Sequence, residues 1–112
     1  MKLSVIIVNY NVKYYLDQCI RSVLHAFEVM QGSANLETEA DSSEENGIAE
    51  LIVVDNHSAD GSVDYLEQRY PQEQYPMVRF VESSHNLGFA RANNIAIRQS
   101  RGEYVLLLNP DT

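Results

Sequence analysis

At 112 residues the chain has room for one small domain. Its hydrophobic content of 45% is that of an ordinary globular protein, and no apolar run approaches the roughly 20 residues of a membrane-spanning helix. The net charge of −8 tells against a partner gripped through nucleic-acid phosphates, and the single Cys19 cannot close an internal disulfide.

Leu3–Val8 is a near-continuous run rich in β-branched residues. Continuous rather than alternating apolarity predicts a strand covered on both faces, the habit of parallel sheets. It is too short for the apolar region of a signal peptide, and polar Asn9 follows at once. Asn9-Tyr10-Asn11 is a polar turn, with Asn11 placed to cap the next helix. From about Lys13 to Met30 the spacing becomes helical. Leu16, Cys19, Ile20, Val23, Leu24, Phe27 and Met30 fall on one face, and Asp17, Arg21, Ser22 and Glu28 fall mostly on the other. Cys19 reads as a small core residue.

Residues 31–49 are rich in Gly, Ser, Asn and acids and poor in apolar residues, which predicts an acidic flexible insertion. Much of the net charge sits in this stretch and in Glu50 just after it. The acids lack the turn glycine and ligand spacing of a calcium loop. Glu50–Asp55 is the second strand and ends on a carboxylate. The polar turn Asn56–Ser62 leads into a helix from Val63 to about Tyr70, which Pro71 stops. Met77–Glu82 is the third strand. After the turn Ser83–Leu87, a third helix runs from Gly88 to Gln99, with Phe89, Ala92, Ile95 and Ala96 along one side. Tyr104–Leu108 reads as a buried fourth strand, ended by Pro110, which cannot donate to a ladder. Such a strand belongs mid-sheet, so the sequence is expected to be the truncated first part of a longer domain.

The order β-α-β-α-β-α-β predicts an α/β fold: a mostly parallel open sheet with helices on both faces. Three polar strand ends then share one edge: Asn9-Tyr10-Asn11, Asp55-Asn56 and Asn109-Pro110-Asp111. Open α/β sheets bind ligands at that edge. Carboxylates there can accept from a base or ribose or hold a cation, and Tyr10 can meet a base face. Strands also end in Asn or Asp simply to start turns, so it is the convergence that points to a nucleotide. Gly88 at a helix start and Arg91 suit an anionic group. No G-x-G-x-x-G and no P-loop is present. His25, His57 and His85 lack metal-site spacing.

Four segments together resemble the family 2 glycosyltransferases of GT-A fold: Ser4–Asn11, Ile52–Ser62, Asn86–Asn94 and Gly102–Thr112. The likeness spans residues 3–112 apart from the acidic stretch. It implies a Rossmann-like nucleotide-binding half of an inverting transferase, with a UDP- or dTDP-sugar as donor and a saccharide or lipid-linked acceptor. By matching position, Asn9, Tyr10 and Asn11 border base and ribose, with Asn56 beside them. Asp55 accepts from the imide N–H of uracil or thymine. Gly88, Arg91 and Asn94 lie near the diphosphate. Asn109 and Asp111 stand at the D-x-D motif, with Asp111 as ligand of Mg²⁺ or Mn²⁺. Asn109 replaces the motif's first acid, and the Asn-Pro-Asp form resembles the rhamnosyltransferase-like branch, which favours dTDP-rhamnose. Asn94-Ile95-Ala96-Ile97 replaces the usual Asn-x-Gly-Ile.

In the family the catalytic base lies downstream of D-x-D. The resemblance therefore places no catalytic residue here, expects the base beyond Thr112, and makes these residues inactive alone and prone to self-association. It implies a cytoplasmic setting, peripheral at the inner membrane face where the acceptor is a lipid. Two other readings stand beside it. A nucleotidyltransferase would want a Gly-rich basic loop after the first strand, and Asn9-Tyr10-Asn11 has no glycine. A non-catalytic nucleotide-binding module would not need both Asp55 and Asp111.

Overall fold

The computed structural model describes residues 2–37, 49–83 and 85–109. Seven elements alternate along the chain: β1 (Leu3–Asn9), α1 (Lys13–Glu37), β2 (Ala49–Asp55), α2 (Ser62–Arg69), β3 (Val78–Glu82), α3 (Phe89–Gln99) and β4 (Tyr104–Leu108). The four strands form one parallel sheet in the order β3-β2-β1-β4.

That order decides which face each helix covers. β1, β2 and β3 step outward in one direction, and the chain then returns past β2 and β1 to lay down β4. Parallel crossovers share one hand, so reversing the step direction moves the crossover helix to the other face. The packing follows. Leu16, Ile20 and Val23 of α1 and Leu66 of α2 pack with Val5, Ile7, Leu51 and Val53 on one face. Ala92 and Ala96 of α3 pack with Ile6, Val8, Ile52 and Val54 on the other. Alternate residues of β1 and β2 thus serve opposite faces, which is why both strands read as continuous apolar runs. Each fully buried aliphatic side chain contributes about 1.5–3 kcal/mol.

Four expectations are corrected. The helix expected to end near Met30 continues as α1 to Glu37, through the first part of the stretch expected to be an acidic loop. Once a helix is nucleated, each further residue adds a hydrogen bond at little cost, and the single Gly32 costs only about 1 kcal/mol. The rest of that stretch, 38–48, lies outside the described residues. Glu50, counted among the acids of that stretch, is buried in β2. Asp17, placed on the polar face, is also buried. Its Oδ1 accepts from the Tyr70 hydroxyl at 2.7 Å, with Arg69 and Arg21 at 3.3 and 3.5 Å from its carboxylate. Burial first, and then this hydrogen bond, push the Tyr70 hydroxyl up to about 12. Finally, β4 is exposed along Tyr104–Leu107, because it is the outer strand of the sheet and no described element covers either face.

The amino-terminal edge of the sheet is closed by Glu50. Ser4 Oγ donates to Glu50 Oε2 at 2.6 Å, the Arg101 N–H donates to the same oxygen at 2.7 Å, and Arg79 Nη2 donates to Oε1 at 3.0 Å. Gly102 N–H donates to Ser4 Oγ at 2.8 Å. Removing one partner of such a buried, hydrogen-bonded charge is costly because the remainder is left desolvated. The same contacts fasten the α3–β4 connection to β1. Burial raises the Glu50 pKa, but the Ser4 and Arg101 hydrogen bonds and the Arg79 charge outweigh it and hold the group below the ordinary value of 4.5.

A carboxyl that ionises more readily folded than unfolded stabilises the fold above its unfolded pKa, and this contribution fades as pH falls through the folded value. Glu50→Gln should therefore be less stable than wild type at pH 7, with the gap narrowing below about pH 4.5 in urea titrations; a gap independent of pH would refute this role. Gly102 has no room for a side chain: a Cβ there would lie 2.5 Å from Ser4 N and 2.7 Å from Leu3 C. Gly102→Ala should cost about 1–3 kcal/mol, read as a thermal midpoint lowered by roughly 4–8 °C per kcal/mol.

Candidate nucleotide site

The reversal of strand order falls between β1 and β4. The chain leaves β1 toward one face and reaches β4 from the other, so a crevice opens at the carboxyl ends of these strands. The expected polar residues gather there, but in two groups with different environments.

The first group is knit together by internal hydrogen bonds. Asn9 pairs with Asp55 in the β1–β2 register, and both are buried. Asn9 Nδ2 donates to Asp55 Oδ1 at 2.8 Å and to Ser58 Oγ at 3.1 Å. Ser58 N–H donates to Asp55 Oδ2 at 2.9 Å. The Asn11 N–H donates to Ser58 Oγ at 2.9 Å, and Asn11 Oδ1 accepts from the Ala59 N–H at 2.7 Å. Asn11 is therefore not the cap of α1. That role passes to Asp60, whose Oδ2 accepts from the Lys13 N–H at 3.2 Å while Oδ1 accepts from the Ser62 N–H at 3.0 Å and from the Ser62 hydroxyl. One carboxylate thus serves the starts of α1 and α2, a favourable place for negative charge. Burial raises the Asp60 pKa, but the hydrogen bonds from Ser62 and Lys13 outweigh it and hold the group below 3.8.

The second group is open. Val8, Tyr10, Val12, Asn56, Asn86, Gly88, Phe89 and Asn109 line a cleft of about 450 Å³. Tyr10 and Phe89 are 50% and 59% exposed, which suits two aromatic faces offered to a planar ligand. Phe89 was expected on the packed side of α3. It sits instead at the first position of the helix, beyond the buried stripe of Ala92, Asn93 and Ala96. Asn56 Oδ1 accepts from the Leu87 N–H at 2.8 Å, which ties the end of β2 to the turn before α3. Asn86 Oδ1 accepts from the Gly88 N–H at 2.8 Å. Gly88 has φ 82° and ψ 161°, a conformation essentially confined to glycine.

Of the expected site residues, the cleft brings together Tyr10, Asn56, Gly88 and Asn109. Asn9, Asn11 and Asp55 form the adjoining hydrogen-bonded knot. Arg91 and Asn94 are exposed on α3 and are not among the lining side chains. Asp111, with Pro110 and Thr112, lies outside the described residues. Among the described residues no group of three or more His, Cys, Asp or Glu stands together to hold a metal. No helix among them is long and apolar enough to cross a membrane. Ser58, Asn86 and Phe89 were not expected. The first two were legible as Asp-x-x-Ser and Asn-x-Gly turns, in which a side-chain oxygen accepts a nearby backbone N–H.

A parallel sheet whose order reverses beside a polar, aromatic-rimmed cleft is an open α/β domain with a cleft where such sheets bind ligands. The chain belongs to the glycosyl transferase family 2, whose model matches residues 4–112. It is 32% identical over 108 residues to a teichuronic acid biosynthesis glycosyltransferase named TuaG in Bacillus subtilis (strain 168), covering 96% of this chain and 35% of that protein. Its fold is that of GT-A glycosyltransferases. A Pyrobaculum calidifontis mannosyltransferase, PcManGT, solved with GDP-Man and Mn²⁺, superposes with a TM-score of 0.68 at 22% identity over 98% of this chain and 27% of its own. S. aureus TarS 1-349, solved with UDP, gives 0.64 at 23% identity over 99% and 28%. The chain thus spans about a quarter to a third of the length of these proteins.

Nothing lies within 4 Å of a Cβ built on Gly88, so substitution there is penalised by backbone conformation alone. Gly88→Ala should lose about 1–3 kcal/mol in urea denaturation. A loss of only a few tenths would mean that the turn before α3 relaxes readily.

Proposed function

We propose that this chain is the donor-binding part of an inverting glycosyltransferase that uses a nucleotide-diphosphate sugar. The observation that carries the reading is the cleft at the β1–β4 reversal, rimmed by Tyr10, Asn56, Gly88 and Asn109, in a chain of this family. The solved neighbours containing GDP-Man with Mn²⁺ and UDP support a nucleotide at that edge.

In this reading Tyr10 lies against the base, and Asp55 accepts from the imide N–H of uracil or thymine, so the donor is a UDP- or dTDP-sugar. The α3 amino terminus, with Gly88 and Arg91, receives the diphosphate, and Asn94 lies near it. Asn109, the residue after β4, is assigned to the diphosphate. A divalent ion, Mg²⁺ or Mn²⁺, would be held by Asp111 and would neutralise charge on the leaving group. The Asn-Pro-Asp form favours dTDP-rhamnose. Residues 1–112 act as one donor-binding unit.

The transfer itself is a single displacement at the anomeric carbon: an acceptor hydroxyl attacks, a carboxylate base takes its proton, and the nucleoside diphosphate departs. In this reading residues 1–112 supply the donor site, and neither the base nor the acceptor site is assigned to any of them. The acceptor is a saccharide or a lipid-linked saccharide, met in the cytoplasm or at the inner membrane face. The exposed outer strand β4 makes self-association of this chain expected.

Isothermal titration with UDP and dTDP, with and without Mn²⁺, tests the reading. Asp55→Ala should weaken binding about 10- to 100-fold whether or not metal is present. Asp111→Ala should remove the metal dependence and leave metal-free binding unchanged. A folded wild-type chain that binds neither nucleotide would overturn the proposal.

A further inference from the structure

We propose that Ser58 is the positioning residue of the nucleotide edge: its hydroxyl orients the end of β1 against the Asp55 carboxylate and thereby sets the preference among bases. The proposal rests on the donor-site reading above and adds to it a residue that touches neither base nor phosphate in that reading.

The geometry is that of a hub. A serine hydroxyl has two acceptor lone pairs. One receives Asn9 Nδ2 at 3.1 Å and the other the Asn11 backbone N–H at 2.9 Å, while the Ser58 backbone N–H reaches Asp55 Oδ2 at 2.9 Å. Ser58 therefore touches the first strand end twice and the second once. Its position depends on His57, held at φ 67°, and the facing turn depends on Asn11 at φ 55°. Both are residues in a conformation that L side chains rarely adopt. The turns are built to bring these atoms together.

Two consequences follow for a ligand. First, both Asn9 amide hydrogens are consumed, one by Asp55 and one by Ser58. The Asn9 amide cannot turn over without placing its carbonyl against the Asp55 carboxylate. Asn9 Oδ1 is left as a buried side-chain acceptor with no partner among the described residues. A buried acceptor in that state is completed by a water or by a ligand N–H or O–H. Second, each Asp55 oxygen spends one lone pair on a fixed internal donor, and its remaining acceptor directions are set by Asn9 and Ser58. A carboxylate aimed in this way distinguishes a base with an N–H at its central ring position, uracil, from one with a lone pair there, cytosine, because the second meets it acceptor to acceptor.

Ser58→Ala removes the hydroxyl and leaves the backbone N–H to Asp55. Ser58→Thr retains the hydroxyl. The test is titration of the 112-residue chain and both variants with UDP and with CDP, with thermal melts alongside. Wild type should prefer UDP. Ser58→Ala should lose that preference about five- to tenfold, losing more affinity for UDP than for CDP while remaining folded, and Ser58→Thr should restore it. A Ser58→Ala variant that weakens UDP and CDP equally, or leaves both unchanged, overturns the positioning role and leaves the donor site standing. A folded wild-type chain that binds neither nucleotide overturns the donor-site reading and this role together.

Discussion

The register between β1 and β2 is pinned at both ends by a buried carboxylate, and the rest of the domain depends on it. Ser4 lies opposite Glu50 and Asn9 opposite Asp55, and in each pair the side chains close a hydrogen bond, at 2.6 and 2.8 Å. Between these polar pairs both strands are apolar and buried, so hydrophobic pattern alone would tolerate a slip. A one-residue shift would send every side chain to the other face and part each carboxylate from the side chain opposite it that now donates to it. A charge buried without partners costs several kcal/mol, far more than one lost aliphatic contact. The hydrophobic core thus supplies most of the stabilisation, and the two carboxylates select a single alignment. Because β4 pairs with the other edge of β1, the β1–β2 register also sets where Asn109 lies relative to Asp55.

The two carboxylates occupy opposite faces, and this separates their tasks. Glu50 lies with Ile52 and Val54 on the α3 side, where it fastens the connection from α3 to β4 through Arg79 and Arg101. Asp55 lies with Leu51 and Val53 on the α1–α2 side, where it organises the turns after β1 and β2. The open cleft is on the α3 side of that edge. The candidate site is therefore asymmetric. One side is a hydrogen-bonded wall in which Asn9 Oδ1 alone of the buried side-chain atoms lacks a partner among the described residues, and the other is an open rim of Tyr10, Phe89 and asparagine side chains. A wall of that kind holds an acceptor in place before a ligand arrives, so less ordering remains to oppose binding.

Much of this was legible in the residues because the elements are long relative to their punctuation. Continuous runs at Leu3–Val8 and Leu51–Val54, separated by helical spacing from Leu16 to Phe27, admit hardly any arrangement but a parallel sheet with covering helices. The convergence of Asn9, Asp55 and Asn109 on one edge follows from that topology alone. What escaped was set by pairing across the chain rather than by local pattern. Asp17 is buried where Tyr70, 53 residues away, donates to it. Glu50 belongs to the core because Ser4 and Arg79 meet it there. Tyr104–Leu107 has the composition of a central strand, yet its burial depends on neighbours that no feature of the strand itself can supply. Ser58 looked like a turn residue, and it is one; its role comes from which two strands the turn joins.

Backbone conformation carries the same asymmetry. Among the described residues φ is positive at Asn11, His57, Gly61 and Gly88, and all four lie at the carboxyl edge of the sheet or in the turns leading from it. Gly61 and Gly88 take this conformation without a Cβ penalty. Asn11 and His57 do not, and each such residue costs of the order of 1 kcal/mol or more. The amino-terminal edge shows none of this: there Glu50 closes the sheet with ordinary strand geometry, and the close approach of Gly102 to Ser4 is steric rather than conformational. Unfavourable conformations concentrated on one edge persist only where surrounding contacts over-determine them. The contacts that do so here are those of Asn9, Asp55, Ser58 and Asp60. A domain that needed only to fold could have closed both edges as it closes the first. Holding two non-glycine residues at positive φ beside the cleft is a cost at the one edge where open α/β sheets bind their ligands, which is the edge the donor-site reading requires.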